Sequence, residues 1–344
     1  MRVSESVPLA PLTTLQLGGP ARRLLEVDSA DDLVQAVRDV DRSGEPLLLI
    51  GGGSNLVLPD EGFPGTVVLI RTRGVERMGN ALVVAAGEPW DALVARSVTE
   101  QLAGMECLSG IPGLTGATPV QNVGAYGQEV AQTVTAVRAY DRHADEVVEL
   151  TGSDCGFSYR SSRFKAEFDR YVILEVRFEL RPGTDSEPIR YGELARALQV
   201  EAGDRAPLTE VRSTVLRLRK SKGMVLDPQD QDSVSAGSFF TNPMLTREQF
   251  EDLQTRTGAQ VASYPEPDGR VKVAAAWLIS QAGFDKGYGD GPARISTKHS
   301  LALTNRGGAT TADLLRLARE VRDGVREKTG IELVNEPVVV GQRL

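Results

Sequence analysis

Between Ser109 and Gly127 the chain reads SGIPGLTGATPVQNVGAYG, with five glycines, two prolines, several hydroxyls and no charged residue. This stretch is too apolar for a solvated linker and too rich in helix breakers for an ordinary helix or strand. Glycine has no Cβ, so its backbone can approach a neighbour or a ligand closely, and its N–H groups can point together at an anion. A second such loop, Gly51-Gly52-Gly53-Ser54-Asn55, follows directly on the apolar run Pro46–Ile50. Two loops of this kind, far apart in sequence, point to one extended phosphate-bearing ligand held from two sides, and a dinucleotide cofactor fits best. The buried amides of the long loop would then find partners on the cofactor's pyrophosphate.

Neither loop matches the GxGxxG fingerprint of a Rossmann fold, since Gly53 is followed by Ser54-Asn55-Leu56, and no Walker lysine is present. The length of 344 residues favours two or three domains. A net charge of −8 argues against a nucleic-acid or anionic-membrane surface. Cys107 and Cys155 supply neither a disulfide framework nor zinc spacing, and neither His143 nor His299 has a partner at ligand spacing, so no metal is expected. The N-terminus carries no basic segment followed by an apolar core, and no apolar run approaches the roughly 20 residues that span a bilayer. A reduced, cytoplasmic, acidic α/β or α+β protein is expected.

Capping oxygens at Asp28–Asp32 and the spacing of Leu33, Val34, Val37 and Val40 predict a helix ending at Gly44. Strands are expected at Pro46–Ile50, Leu56–Leu58, Thr66–Ile70, Ala81–Ala86, Val134–Tyr140, Val147–Leu150 and Tyr171–Leu180. Helices are expected at Pro89–Ala103, from Pro207 to about Lys222, and at Thr246–Thr257, Val271–Ala282 and Thr310–Thr329. Strands at His299–Thr304 and Ile331–Val340 complete the pattern. Residues 1–75 and 76–205 read as two cofactor subdomains, 206–330 as a separate substrate domain, and 331–344 as a last C-terminal strand.

The loop Ile111–Gly127, GGGSNLV at 51–57, GFSYRSSRF at 156–164, AGSFFTNP at 236–243 and ELVNEPV at 332–338 occur in one order over nearly the whole chain. Together they resemble the UDP-N-acetylenolpyruvoylglucosamine reductases. The resemblance implies an FAD-binding domain of the vanillyl-alcohol-oxidase (PCMH) type, built of two αβ subdomains, plus a smaller αβ substrate-binding domain. It also implies reduction of the enolpyruvyl vinyl ether on UDP-N-acetylglucosamine to give UDP-N-acetylmuramate for peptidoglycan. NADPH would reduce non-covalent FAD, and a hydride would then pass from the flavin N5 to the terminal vinyl carbon. The electron density arriving at the adjacent carboxylate needs fixed donors, and the neighbouring carbon needs a proton.

Residue by residue, the resemblance makes Arg160 the clamp on the enolpyruvyl carboxylate, Ser238 the proton donor and Glu336 the carboxyl that helps bind and polarise the developing acid. All three would converge above one isoalloxazine ring, which implies that the C-terminal strand 331–344 returns to the FAD site. Taken alone, Arg160 reads as a surface charge, Ser238 as a turn residue and Glu336 as an exposed strand-end acid. FAD contacts are implied for Gly51, Gly52, Gly53, Ser54, Asn55, Ile111, Pro112, Gly113, Gly116, Ala117, Thr118, Gln121, Asn122, Gly124, Ala125, Tyr126 and Arg219. Substrate contacts are implied for Tyr191, Lys222, Asn242 and Tyr264, with Lys272 and His299 as weaker candidates. Arg219 and Lys222 lie three apart and are expected on one helix face, meeting FAD and substrate phosphates respectively. Tyr191-Gly192-Glu193-Leu194 resembles the subgroup in which a tyrosine-bearing loop closes over the nucleotide.

Two departures stand out: Thr241 where relatives often carry lysine, and a longer turn from Lys222 to Pro228. Two other readings stay open at this level. One is another flavin oxidoreductase of the superfamily, although neither glycine loop holds the His or Cys that would tether a flavin. The other is a non-catalytic nucleotide-sugar-binding protein. A monomer is expected.

Overall fold

Ser29 accepts the N–H of Asp32 through its side chain and Gly44 closes the same helix at φ 68°, so Ala30–Ser43 has both ends set by local chemistry. A computed structural model describes residues 1–344. By contacts the chain forms two units of interrupted sequence. The first takes Met1–Val7, Ala21–Gly52 and Phe63–Lys220; the second takes Pro8–Pro20, Gly53–Gly62 and Ser221–Leu344.

In the first unit the strands Pro20–Val27, Phe63–Ile70 and Leu47–Ile50 pair in parallel, with Arg2–Pro8 at the outer edge. A five-stranded antiparallel sheet runs in the order Glu146–Thr151, Val134–Asp141, Tyr171–Glu179, Ala81–Ala85 and Val75–Met78. Leu33, Ala36 and Val37 of the first helix pack with Leu25 and Val68 of one sheet and with Tyr140, Val172 and Leu174 of the other. The helix therefore joins two sheets of opposite pairing type. Trp90, at the start of the helix Trp90–Thr99, is fully buried, and its indole N–H donates to the Leu108 carbonyl at 3.1 Å.

The two glycine loops meet inside this unit. A Cβ on Gly52 would lie 2.6 Å from the Gly113 Cα, and one on Gly116 would lie 2.5 Å from the Ala86 Cβ. The expectation that the long loop offers its amides to an anion is narrowed by six of them. The N–H groups of Thr115, Gly116, Ala117, Thr118, Asn122 and Val123 all donate to backbone carbonyls of this unit. A short 3-10 turn at Thr115–Ala117 accounts for part of this pattern. The glycines there serve close packing of backbone on backbone.

The helix Leu208–Ser221 packs through Val211 and Val215 on Ile189, Leu194 and Cys107, so it belongs to the first unit and does not open the substrate domain. It ends at Ser221. Lys222 lies in the following turn, so Arg219 and Lys222 do not share a continuous helix face.

The second unit holds a three-stranded antiparallel sheet, in the order Ser235–Ser238, Ala302–Asn305, Ala293–Ile295, and a smaller one of Met244–Leu245, Val271–Val273 and Ser263–Pro265. The long helix Thr311–Thr329 carries a Thr310/Asp313 capping box and ends at Gly330 in the left-handed region. Its Leu314, Ala318, Val321 and Val325 bury against Phe239, Phe240, Leu278 and Ile279. Asp60 adds a charge at its N-terminus, accepting from the N–H groups of Thr311 and Ala312 at 2.7 and 3.0 Å.

Three elements differ from expectation here, the first being the strand expected at His299–Thr304, which runs over Ala302–Asn305 and leaves His299 before it. Val271–Val273 is a strand, and the helix begins only at Ala275. The C-terminal strand is confined to Val338–Val339, parallel to Leu56–Val57. No helix is long and apolar enough to cross a membrane.

One buried carboxylate ties this sheet together. Asp232 accepts from the Thr297 N–H at 2.8 Å, the Thr297 hydroxyl at 2.6 Å and the Arg306 guanidinium at 2.7 Å. Burial pushes its pKa up, but the bonds from Thr297 and Ser296 and the Arg306 charge outweigh this and hold it below the ordinary aspartate value.

Asp232→Asn removes the charge and leaves Arg306 poorly matched, so it should cost about 2 kcal/mol in urea unfolding at neutral pH. Because the folded-state pKa is depressed, this contribution is complete above the unfolded value of roughly 4 and disappears as pH falls through the folded value. The gap between wild type and variant should therefore close in acid. Gly52→Ala should destabilise by roughly 1–3 kcal/mol, since its new methyl meets Gly113 backbone that cannot rotate away. Thermal denaturation of that variant measures it.

Candidate active site

Within the first unit, a tight bridge between Ser158 and Ser161 holds Arg160 at its tip, with backbone bonds of 3.0 and 3.1 Å between the two serines. Arg160 sits at φ 52°, a left-handed conformation uncommon for a long side chain. Its guanidinium donates to the Gly124 carbonyl at 2.9 Å and lies 5.5 Å from the Tyr159 ring centre. The Lys165 ammonium donates to the Arg160 carbonyl at 2.9 Å, bracing the turn from the other side. A Cβ on Gly124 would lie 2.8 Å from the Glu129 Cγ and 3.2 Å from the Arg160 Nη1, so glycine is what fits there.

Asn122 adopts φ 46°, and its side chain donates to Glu129 and to the Ser158 carbonyl while accepting from the Ala131 N–H. This side chain links the long loop to the Arg160 turn. Asn122, Gly124 and Arg160 are thus brought together, and Asn122 acts on the loop's shape through protein partners. Thr118 likewise turns its hydroxyl back to the Thr115 carbonyl.

Tyr126, at φ 49°, meets the Tyr191 ring edge-on with centres 5.5 Å apart. Burial pushes its phenol up to about 12, so it stays protonated at neutral pH. Arg219 is buried; burial pulls its guanidinium down to about 10, opposed by the charges of Tyr126 and Asp91, and it remains a cation at neutral pH. Asp91 is opposed by its own burial, yet the Arg212 fork at 2.7 and 2.9 Å and the Gly110 N–H at 2.6 Å hold it below the usual carboxylate range. Gly110 opens the long loop, so Arg212, Asp91 and the loop form one chain of contacts. Tyr191 itself lies exposed at the start of the short helix Gly192–Leu198.

In the second unit, Ser238 ends its strand after a bulge between Ser235 and Ser238, with Gly237 left-handed at φ 75°. The Glu336 N–H donates to the Phe239 carbonyl at 2.8 Å, and the Thr241 N–H donates to the Val334 carbonyl at 3.0 Å. The Asn55 side chain donates to the Glu336 carbonyl at 3.4 Å, and the Val338 N–H donates to the Asn55 carbonyl at 2.9 Å. Asn55, Ser238 and Glu336 are therefore neighbours through main chain. Gly53 is left-handed, and a Cβ there would fall 1.9 Å from the Leu12 carbonyl oxygen.

Thr241 turns its hydroxyl to the Val334 carbonyl. The Asn242 Oδ1 accepts the Ala275 N–H at 2.9 Å and so sets the start of the next helix. Tyr264 stands opposite Lys272 in the small sheet, and Lys272 pairs with Glu266. His299 Nε2 lies 3.5 Å from the Ser238 Oγ. Gly223 abuts the Asp232 backbone, a Cβ there falling 2.9 Å from its carbonyl oxygen, which places the Lys222 turn against the same buried carboxylate.

Asp232 and Gly237 escaped the sequence reading. Asp232 meets partners at 297 and 306, and no local spacing announces such a bond. Gly237 was visible as part of Ala236-Gly237-Ser238, but its backbone conformation was not.

Two family models match the chain: "FAD binding domain" over residues 21–151, which spans both glycine loops, and "UDP-N-acetylenolpyruvoylglucosamine reductase, C-terminal domain" over 227–340. The chain is 62% identical to the UDP-N-acetylenolpyruvoylglucosamine reductase of Streptomyces coelicolor over 347 residues, covering 99% of this chain and 91% of that one. It is 58% identical to that of Thermobifida fusca over 352 residues, covering 99% of each. The crystal structure of the Thermus caldophilus enzyme superposes with a TM-score of 0.68 at 27% identity, covering 98% of this chain and 99% of that one. Full-length identity at this level, carried on an α+β fold with both glycine loops present, shows that the chain belongs to the UDP-N-acetylenolpyruvoylglucosamine reductase family.

Proposed function

We infer that the chain reduces enolpyruvyl UDP-N-acetylglucosamine to UDP-N-acetylmuramate through non-covalent FAD, with NADPH as reductant, in peptidoglycan precursor synthesis. The setting inferred is the cytoplasm, and the working form a monomer. FAD, held by the glycine loops with Ser54, Asn55 and Arg219, would supply hydride transfer between the nicotinamide and the vinyl group. The nicotinamide and the enolpyruvyl group then use the flavin in turn, which gives ping-pong kinetics. What most supports this reading in the geometry is the main-chain bond from Glu336 to Phe239, which keeps Glu336 beside the residue that follows Ser238.

Arg160 is assigned the substrate carboxylate. A guanidinium fork matches two coplanar oxygens and stays charged as electron density arrives there. Ser238 is assigned the proton that goes to the carbon beside that carboxylate. An alcohol is a weak acid, so it serves only when fixed against a strongly basic carbon, and the bulge at Gly237 supplies such fixing. Glu336 is assigned to help bind and polarise the developing acid. Tyr191, Lys222, Asn242, Tyr264 and Lys272 are assigned to the nucleotide and its phosphates. Tyr191 supports this by its exposure beside Tyr126, and Asn242 has its oxygen already engaged by Ala275. The glycine loops, with Ser54, Asn55 and Arg219, are assigned to FAD.

Ser238→Ala should keep its yellow colour and its reduction by NADPH while reoxidation by the enolpyruvyl substrate slows by about 10²–10³-fold, read by anaerobic stopped-flow. Reoxidation near the wild-type rate would remove Ser238 from the proton-donor role. Arg160→Lys carries the same backbone strain and charge but lacks the fork, so its melting temperature should hold. Its kcat/KM for the enolpyruvyl substrate should fall roughly 10²-fold with flavin reduction intact. Equal loss in both half-reactions would mean that Arg160 serves the fold.

A further inference from the structure

A serine that gives up its proton must recover one before the next turnover, and an alkoxide left in place would hold the next substrate anion away. A side chain suited to that task lies beside Ser238. The left-handed Gly237 and the bulge before Ser238 turn the side chain that follows, as bulges beside active sites commonly do. The neighbouring Phe239 N–H then locks to the Leu301 carbonyl at 2.7 Å. In this arrangement Ser238 Oγ lies 3.5 Å from His299 Nε2, and both residues are half-buried.

His299 is itself held in place. Its N–H donates to the Ser296 hydroxyl at 3.2 Å, its carbonyl accepts from the Ala302 N–H at 3.1 Å, and Thr297 two residues earlier is bound by Asp232. The charged groups packed around this turn are themselves partnered: Asp232 with Arg306, and Asp230 with the Lys298 ammonium at 2.7 Å. On the strand side stands Glu336, one main-chain bond from Phe239. Imidazole is the side chain that changes charge between pH 5 and 8. A fixed imidazole beside a fixed hydroxyl is a path for a proton.

We propose that His299 returns a proton to Ser238 in every catalytic cycle, so that the hydrogen added beside the substrate carboxylate travels from solvent through His299 and then Ser238. This rests on Ser238 being the donor. As the new C–H bond forms, the Oγ–H bond of Ser238 breaks and leaves an alkoxide. The Nε2–H bond of the imidazolium breaks as the Oγ–H bond re-forms, and the neutral ring takes a proton from water. No oxidant or reductant enters beyond the nicotinamide already assigned. The role is distinct from holding the nucleotide, the part the family resemblance suggested for His299.

The test compares one turnover with many. Enzyme pre-reduced with NADPH is mixed anaerobically with enolpyruvyl substrate, first stoichiometrically and then with both substrates in excess. In His299→Gln, and independently in His299→Asn, the first reoxidation should stay within about threefold of wild type, because Ser238 begins protonated. Steady-state kcat should fall by roughly 10²-fold with KM and the NADPH half-reaction unchanged, and added imidazole should restore part of it. Equal loss in the first and later turnovers, or a raised KM with kcat preserved, would overturn the proposal and leave His299 a binding or structural residue.

Ser238→Ala is the separate control. It should slow the first turnover itself, and if it does not, the donor assignment fails irrespective of His299. Should neither His299 variant fold, wild-type enzyme still decides. Steady-state turnover should fall at alkaline pH while the first-turnover rate stays flat, and a parallel decline of both would overturn the relay.

Discussion

Backbone meeting backbone at Gly52 and Gly113 is the constraint from which the rest of the first unit follows. Side chains are excluded at that contact, so nothing but main chain is available there to satisfy main-chain polar groups. Part of the long loop meets this demand against the neighbouring segment 86–90. Thr115 N–H donates to the Glu88 carbonyl, Gly116 N–H to Ala86, and Trp90 N–H to Gly113. Glycine content and hydrogen-bond pattern are therefore one phenomenon. A path this tight also forces unusual dihedrals on the residues that continue it. Asn122 and Tyr126 lie in the left-handed region, where such residues cost on the order of 1–3 kcal/mol unless their surroundings over-determine them. Asn122 has that over-determination in its three side-chain bonds.

The second unit solves its problem with charge. Its sheets are short, and strands of two to four residues carry too few apolar pairs to fix their own register. Asp232 supplies what the pattern of side chains does not. By bonding Thr297 and Arg306 it ties the turn at 296–299 to the strand that follows it and to the segment preceding Ser235. A buried ion pair contributes little net stability over an apolar replacement, because desolvation offsets much of the attraction. Its value here lies in position: a misplaced strand would leave a buried carboxylate without partners.

What was legible in the sequence was local. Ser29 and Gly44, or Thr310 and Gly330, bracket their helices within a few residues, and the chain obeys them. The glycine loops were visible for the same reason, although six amides of the long loop bond to protein carbonyls. Val271–Val273 was misread because Val-Lys-Val-Ala-Ala-Ala-Trp suits an apolar helix face and a short strand equally. Strand pairing with residues 244–245 and 263–265 decided it. Ile331–Val340 looked like one strand, yet Pro337 has no N–H to give to a ladder and only Val338–Val339 pair, with a partner nearly three hundred residues away. The helix at 208–221 was placed in the wrong unit because Pro207 reads as a boundary. Its apolar face fits Ile189 and Leu194.

The residues expected to carry chemistry share a property that regular structure does not supply. Arg160 stands at the tip of a two-serine bridge in a left-handed conformation, and Ser238 follows a left-handed glycine within a bulge. Glu336 precedes the proline that interrupts the last ladder. In an ordinary strand each side chain would alternate between faces with its neighbours, and none could be aimed independently. Breaking the ladder frees one side chain from that alternation at a local cost, and the surrounding bonds must absorb the cost. For Arg160 these are the contacts to Gly124 and Lys165; for Ser238 they are the Phe239–Leu301 bond and the Glu336–Phe239 bond. Departures from local rules are expected where a protein needs a fixed, unusually directed group. Arg160 and Ser238 both stand at such departures, and that placement is what their proposed roles require.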